Sequence, residues 1–282
     1  MQIIREINAL RRAVAELRRA GGGIAFVPTM GALHAGHMAL VREAKRQAAH
    51  VVASIFVNPT QFGAKEDLGT YPRREAEDSA MLEAEGCAIL WAPDAATMYP
   101  EGHATSINVS GVSDDLDGAA RPGHFDGVAT VVAKLLNQVQ PDVALFGEKD
   151  YQQLAVIRRM VADLDLPVRI VGLPTQRDPD GLALSSRNAY LSAEERIASR
   201  ALPRALVEAA QAMRDGGEVD QALARAHADL TAAGFQAIDY FELRDALTLR
   251  PLASLDRPGR LLAAAKIGRT RLIDNIEVMP PG

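Results

Sequence analysis

The chain has 282 residues, 48% of them apolar and 24% charged, the balance of a globular protein long enough to bury about 75% of its unfolded surface. Its 22 Gly and 15 Pro exclude a collagenous or disordered chain. A net charge of −5 with no long basic run argues against a nucleic-acid partner, whose phosphates demand a cationic patch.

Ile3, Ile4, Ile7, Leu10, Val14 and Leu17 recur at roughly helical spacing and predict a helix over the first twenty residues. The arginines of this stretch are not followed by an apolar run, so it does not read as a secretion signal. The longest uncharged stretch, 20–41, holds five glycines, Pro28, His34 and His37, and no bilayer would accept it. A single cysteine, Cys87, forms no intrachain disulfide and suits a reducing, cytoplasmic setting.

Short apolar runs then alternate with amphipathic stretches. The runs are Ile24–Val27, Val51–Val57, Ala88–Trp91, Val143–Phe146 and Val168–Val171; between several of them lie Met38–Ala49, Arg73–Glu85, Val128–Val139 and Tyr151–Asp163. Continuous apolar strands separated by helices predict a doubly wound α/β domain, a parallel sheet covered on both faces, over residues 1–175. After the linker of Pro174 and Gln176–Gly181, Ser192 and Glu195 offer a capping box for a helix through about Met213. A second helix over about 219–233 follows, then strand-like runs at Ala237–Leu243, Arg260–Ile267 and Arg271–Val278. Residues 176–282 therefore read as a small α+β domain with antiparallel strands.

In such sheets ligands sit beyond the carboxyl ends of the strands, so the segments after each strand are where chemistry is sought. The first is Pro28–His37. Gly31 and Gly36 have the spacing of a P-loop, but His37 and Met38 stand where that motif needs Lys and Ser or Thr, so it is absent. What remains is two glycines, a helix N-terminus that favours an anion, and two imidazoles able to donate to phosphate. An ordinary strand–helix turn would also carry His34 and His37, and metal ligation would need a third partner that no pattern here supplies. The second segment, Phe56–Phe62, combines Asn58-Pro59 turn chemistry with Gln61, an amide that both donates and accepts. The third, Gly147–Gln153, puts Lys149 and Asp150 at a strand exit, suited to phosphate and magnesium. The fourth, Asp180–Asn188, brings Ser185, Ser186 and the permanently charged Arg187 together as a phosphate clamp. Taken singly, each also fits a surface turn or helix cap.

PTMGALHAGH, FVNPTQF, RPGHFDGVATVV, FGEKDYQQ and DGLALSSRNAYL, in this order and spread over residues 28–191, resemble the motifs of the pantothenate synthetase family, and HxGH alone resembles the wider nucleotidyltransferase superfamily. The resemblance implies a Rossmann-like first domain and an ATP-dependent ligase that condenses pantoate with β-alanine through a pantoyl adenylate, releasing AMP and diphosphate. Carried over, Met30, Gly31, Ala32, Leu33, His34, Ala35, Gly36 and His37 line the ATP site, with His34 and His37 on the phosphates and His37 in the place often assigned a proton donor. Gly147, Glu148, Lys149 and Asp150 match a second ATP-binding run, Lys149 on phosphate and Asp150 near the adenosine or Mg2+. Leu184, Ser185, Ser186 and Arg187 match a phosphate-binding loop. His37, His34, Lys149 and Arg187 are thus the catalytic candidates. Gln61 and Gln153 match pantoate-holding glutamines, with Gln61 also beside β-alanine. Gln176 departs from the small aliphatic residue the family places at adenine, and Met38 replaces a usual Leu. The resemblance further implies Mg2+ with the nucleotide, a homodimer through the N-terminal domains, and a C-terminal domain that acts as a lid. Two other classes compete. A simple nucleotidylyltransferase shares the HxGH crevice but has no use for an amine acceptor; a non-catalytic nucleotide-binding module would lack the polar residues all present here.

Overall fold

The computed structural model describes residues 1–63 and 67–280. The chain opens with β1 (Gln2–Ile4) and α1 (Ile7–Arg19), continues through β2 (Ile24–Thr29), α2 (Ala35–Gln47), β3 (His50–Ile55), α3 (Glu75–Ala84) and β4 (Ile89–Trp91), and passes the short helices α4 (Ala95–Met98) and α5 (Asp117–Ala120). The long α6 (His124–Val139), β5 (Val143–Gly147), α7 (Tyr151–Asp163) and β6 (Arg169–Leu173) complete the first layer system. Its six strands pair in parallel in the order β1-β4-β3-β2-β5-β6. Side chains alternate across that sheet as strand geometry requires: Phe26 and Trp91 join the core under α1, α6 and α7, while Ala25, Val27 and Leu90 join the one with Val41 and Leu82 on the other face.

The opening helix begins later than its spacing predicts. Gln2, Ile3 and Ile4 pair with Ile89, Leu90 and Trp91 as an edge strand, and α1 starts only at Ile7. Two apolar residues, Ile3 and Ile4, fit either periodicity; pairing to β4 decides between them. The start of α6, by contrast, lies four residues ahead of Val128, at His124, because Gly123 takes a left-handed φ of +81° at its N-cap.

Beyond β6 come α8 (Ala193–Ala198), α9 (Ala201–Arg214), α10 (Val219–Ala232), β7 (Ala237–Asp245), β8 (Gly259–Ile267) and β9 (Thr270–Val278), the last three forming an antiparallel sheet in chain order. The Ser192–Glu195 capping box forms as the sequence predicts. The single helix expected through Met213 is instead two, broken at Ser199–Arg200. Pro203 has no N–H to offer the Ser199 carbonyl, which accepts from Leu202 instead at 3.1 Å. Leu202, Leu206, Ala210 and Leu230 pack with Phe241, Leu261 and Ala263 in a core of their own. A smaller cluster of Leu116, Tyr240, Leu249, Leu262 and Ala264, joined by Tyr151 and Ala155, seats this sheet against α7 and the segment before α5. Among the described residues, no helix is long and apolar enough to cross a membrane.

Candidate active site

The order of the parallel sheet places the site. From β2 the chain winds outward through β3 and β4 on one side, and β5 and β6 lie on the other, so the carboxyl ends of β2 and β5 flank the switch point where a crevice opens. A cavity of about 240 Å³ sits there, lined by Met30, His34, Gly36, His37, Gln61, Gly147, Lys149, Asp150, Gln153, Gln176 and Leu184–Arg187. Four segments distant in sequence thus meet at one place. The crevice opens into a larger cavity of about 550 Å³ under β8 and β9, which shares Lys149, Asp150, Gln153, Ser185 and Arg187 with it.

The loop after β2 is held from behind. Buried Asp78 of α3 accepts from the backbone N–H groups of Ala32 and Leu33, both at 2.8 Å. Gly31 adopts φ +86°, and a Cβ there would lie 3.1 Å from that carboxylate. Gly31, Ala32, Leu33 and Ala35 therefore shape the loop, and they do not line the cavity.

His34 and His37 cap α2 reciprocally. The Gly36 N–H donates to His34 Nδ1 and the His34 N–H donates to His37 Nδ1, each at 3.2 Å. With each Nδ1 an acceptor, each neutral ring carries its proton on Nε2, leaving one donor per ring for a ligand. The rings lie 4.1 Å apart. Burial, reinforced by His34, pushes the His37 pKa down to about 3; burial and then Lys149 lower that of His34. Two neutral N–H donors suit a phosphate oxygen without competing for its proton.

Gln61 is the most firmly oriented substrate candidate. Asn58, 1% exposed, donates its amide to Gln61 Oε1 at 3.0 Å and to the Gly127 carbonyl at 3.1 Å, while its own oxygen accepts from Tyr99 Oη at 2.7 Å. The amide orientation of Gln61 follows: its oxygen is occupied, and its NH2, 3.2 Å from Met30 Sδ, is the group left for the cavity. Behind it, Arg121 Nη1 donates to His124 Nε2 at 2.9 Å, so His124 Nδ1 carries a proton and donates to the Gln61 carbonyl at 2.8 Å. Gly127 lets α6 approach this turn: a Cβ there would fall 2.5 Å from the Thr60 oxygen. Val128, Val131, Val132, Leu135 and Phe146 give the cavity one apolar wall.

Lys149 and Asp150 stand in a short 3₁₀ turn directly after β5, 3.5 Å apart, the lysine 19% and the aspartate 45% exposed. Glu148 faces away from the 240 Å³ cavity, toward Arg260 of β8 at 3.2 Å. Ser185 caps the turn that follows it, accepting from the Arg187 N–H at 3.2 Å, and Ser185, Ser186 and Arg187 all line the cavity. Gln176 is exposed, its side chain donating to the Pro174 carbonyl at 2.9 Å and its own carbonyl taken by the Leu184 N–H at 2.9 Å. The Thr175 hydroxyl beside it is buried in the lining with no hydrogen-bond partner among the described residues.

Several of these residues escape sequence reasoning. Asn58 reads only as turn chemistry, and Arg121 and His124 lie in a quoted motif without an assigned role. Asp78 and Thr175 carry no local signal at all. Among the described residues no group of three His, Cys, Asp or Glu side chains is arranged to hold a metal ion. The lone Asp150 fits the weaker demand of Mg2+ bound chiefly by a nucleotide. Cys87 is buried, which pushes its thiol up to about 12 and leaves it unreactive.

The sequence profile of the family described as Pantoate-beta-alanine ligase matches residues 2–277. The pantothenate synthetase of Rhizorhabdus wittichii is 65% identical over 280 residues, covering 99% of each chain. A crystal structure of pantothenate synthetase from Thermus thermophilus superposes with a TM-score of 0.94 at 48% identity, over 99% of this chain and all of that one. The pantoate-β-alanine ligase of Francisella tularensis, described as complexed with β,γ-ATP and β-alanine, gives 0.82 at 34% identity, over 98% of this chain and 97% of that one.

Proposed function

Because the chain belongs to the pantoate-β-alanine ligase family, whose members join pantoate to β-alanine at the expense of ATP, we propose that this crevice carries both halves of that reaction on the residues described above. A carboxylate cannot acylate an amine directly, since oxide would have to leave. In the first half a pantoate carboxylate oxygen attacks the α-phosphorus of ATP, the bond to the bridging oxygen breaks, and diphosphate departs. In the second the neutral β-alanine amine attacks the acyl carbon of the pantoyl adenylate, the carbon–oxygen bond breaks, AMP leaves, and the nitrogen gives up one proton to solvent as the amide forms.

The observation that supports this assignment best is the meeting of His34, His37, Lys149, Ser185 and Arg187 with Gln61 and Gln153 around one cavity at the switch point. In this reading His34 and His37 donate from Nε2 to phosphate oxygens, and Lys149 and Arg187 balance the charge that gathers as diphosphate separates. His37 acts there as a neutral donor, in keeping with its depressed pKa. The NH2 of Gln61 takes a pantoate oxygen and Gln153 another, while the valine-lined wall of α6 receives the two methyl groups of that substrate. No covalent nucleophile is needed; positioning and fixed dipoles supply the rate. Mg2+ held by Asp150 and the nucleotide would neutralise phosphate charge. Gln176 flanks the adenine position through its backbone.

We place the domain boundary at 175/176, on the separation of the two large cores. The C-terminal domain then covers the crevice and shields the water-sensitive anhydride. The family resemblance further suggests a homodimer and a cytoplasmic enzyme, the former tested by sedimentation.

The decisive experiment measures diphosphate release with ATP and Mg2+ in the presence of pantoate, β-alanine, or both. Sustained release only with both, with the amide formed, is the expected result. Sustained release without amine would sink the ligase assignment.

A further inference from the structure

We propose that the adjacent residues Asp274 and Asn275 of β9 act as one clamp that positions both phosphate-binding segments, so that nucleotide affinity depends on the docking of the C-terminal sheet. The proposal rests on the reading of Lys149 and Ser185–Arg187 as nucleotide-binding. Asn275, 3% exposed, donates its side-chain NH2 to the carbonyls of Glu148 at 2.9 Å and Lys149 at 2.8 Å. Its oxygen accepts from Arg260 Nε at 2.6 Å, and the same guanidinium lies 4.1 Å over the Tyr151 ring and 3.2 Å from the Glu148 carboxylate. The turn that carries Lys149 is therefore gripped from outside by β8 and β9, with its basic end left to the cavity.

Asp274, 2% exposed, holds the other segment. It accepts from both terminal nitrogens of Arg177, at 2.7 and 2.8 Å, a planar fork that fixes orientation as well as charge. Arg177 also donates to the Gly181 carbonyl at 2.9 Å and bridges to Ala183, closing the hairpin that delivers Leu184–Arg187 to the crevice. The Asn275 N–H donates to Asp274 Oδ1 at 2.7 Å, joining the two grips. Both residues line the 550 Å³ cavity and neither lines the 240 Å³ one, and their polar groups are spent on Arg177, Arg260 and the carbonyls of Glu148 and Lys149, so each is a positioning residue.

The test is steady-state kinetics on Asn275→Ala and Arg177→Lys, with binding of a non-hydrolysable ATP analogue followed by calorimetry. A KM for ATP raised about tenfold, with analogue affinity weakened in parallel and the KM for pantoate within about twofold of wild type, is expected. A fall in kcat alone, with ATP KM and analogue affinity unchanged, means a merely structural role and overturns the proposal. If Asn275→Ala does not fold, Arg177→Lys, which keeps its charge but loses the fork, decides by the same criteria. If the wild type makes no pantothenate, the functional reading fails; equal analogue binding by wild type and variant would then overturn the clamp as well, and weaker binding by the variant would uphold it.

Discussion

The rings of His34 and His37 stand 4.1 Å apart, and each offers its Nδ1 to a backbone N–H of the same turn. Protonating either nitrogen would break a cap, and a charge on one ring would repel a charge on the other. In the unfolded chain His37 titrates near 6.5; in the folded protein it does so near 3. The folded state therefore binds fewer protons over that interval, and acid favours unfolding. The contribution is complete above about pH 6.5 and is lost as pH falls toward 3. For one such group the slope approaches about 1.4 kcal/mol per pH unit. Chemical denaturation at a series of pH values should show wild type losing stability more steeply between pH 6 and 4 than His37→Asn. Parallel curves would refute the point.

Replacing Asn58 with Asp tests the orientation of Gln61. Asp offers no N–H to Gln61 Oε1 or to the Gly127 carbonyl, so the Gln61 amide turns its NH2 toward the new carboxylate and shows its oxygen to the cavity. A pantoate carboxylate then meets an acceptor in place of a donor. The KM for pantoate should rise about tenfold or more while that for ATP moves little, a loss of about 1.4 kcal/mol in substrate binding. An unchanged pantoate KM would show that Gln61 does not touch that substrate.

Gly127→Ala probes the same turn from the helix side. The added Cβ would approach backbone of Thr60 and Gln61 at 2.5 to 2.7 Å, and no rotamer change can relieve a backbone clash. Overpacking of this kind costs about 1–3 kcal/mol. A lower melting temperature together with a raised pantoate KM is expected; a lower melting temperature with unaltered KM would mean that the helix, not the turn, gives way.

Lys149→Met removes a cation whose one ion pair among the described residues is to Asp150 at 3.5 Å, partly exposed to water. Little stability should be lost, because exposed pairs are worth little. Diphosphate release at saturating pantoate should nevertheless fall about 100-fold or more, as for other preorganised electrostatic groups. Activity within tenfold of wild type would move the charge-balancing role to Arg187.

The alternation of apolar runs and amphipathic helices was legible in the sequence because periodicity is a local property: α7, α10 and β7–β9 lie within a residue or two of their predicted places. So was the convergence of the four strand-exit segments, since polar residues such as His34, Lys149 and Arg187 stand out beyond the apolar runs and the structure brings them to one cavity. What only the tertiary structure decided is everything set by partners far along the chain. Gln2–Ile4 became a strand because β4, some 87 residues on, offered a free edge. Asp78 could be identified as the anchor of the Gly31–Leu33 loop only once α3 packed beside β2, and Asn275 as the support of Lys149 only once β9 docked across 126 residues. A short polar side chain has no periodicity and no chemistry of its own to declare. Its role is set by which buried N–H or C=O it alone can reach, and that is determined when the chain folds.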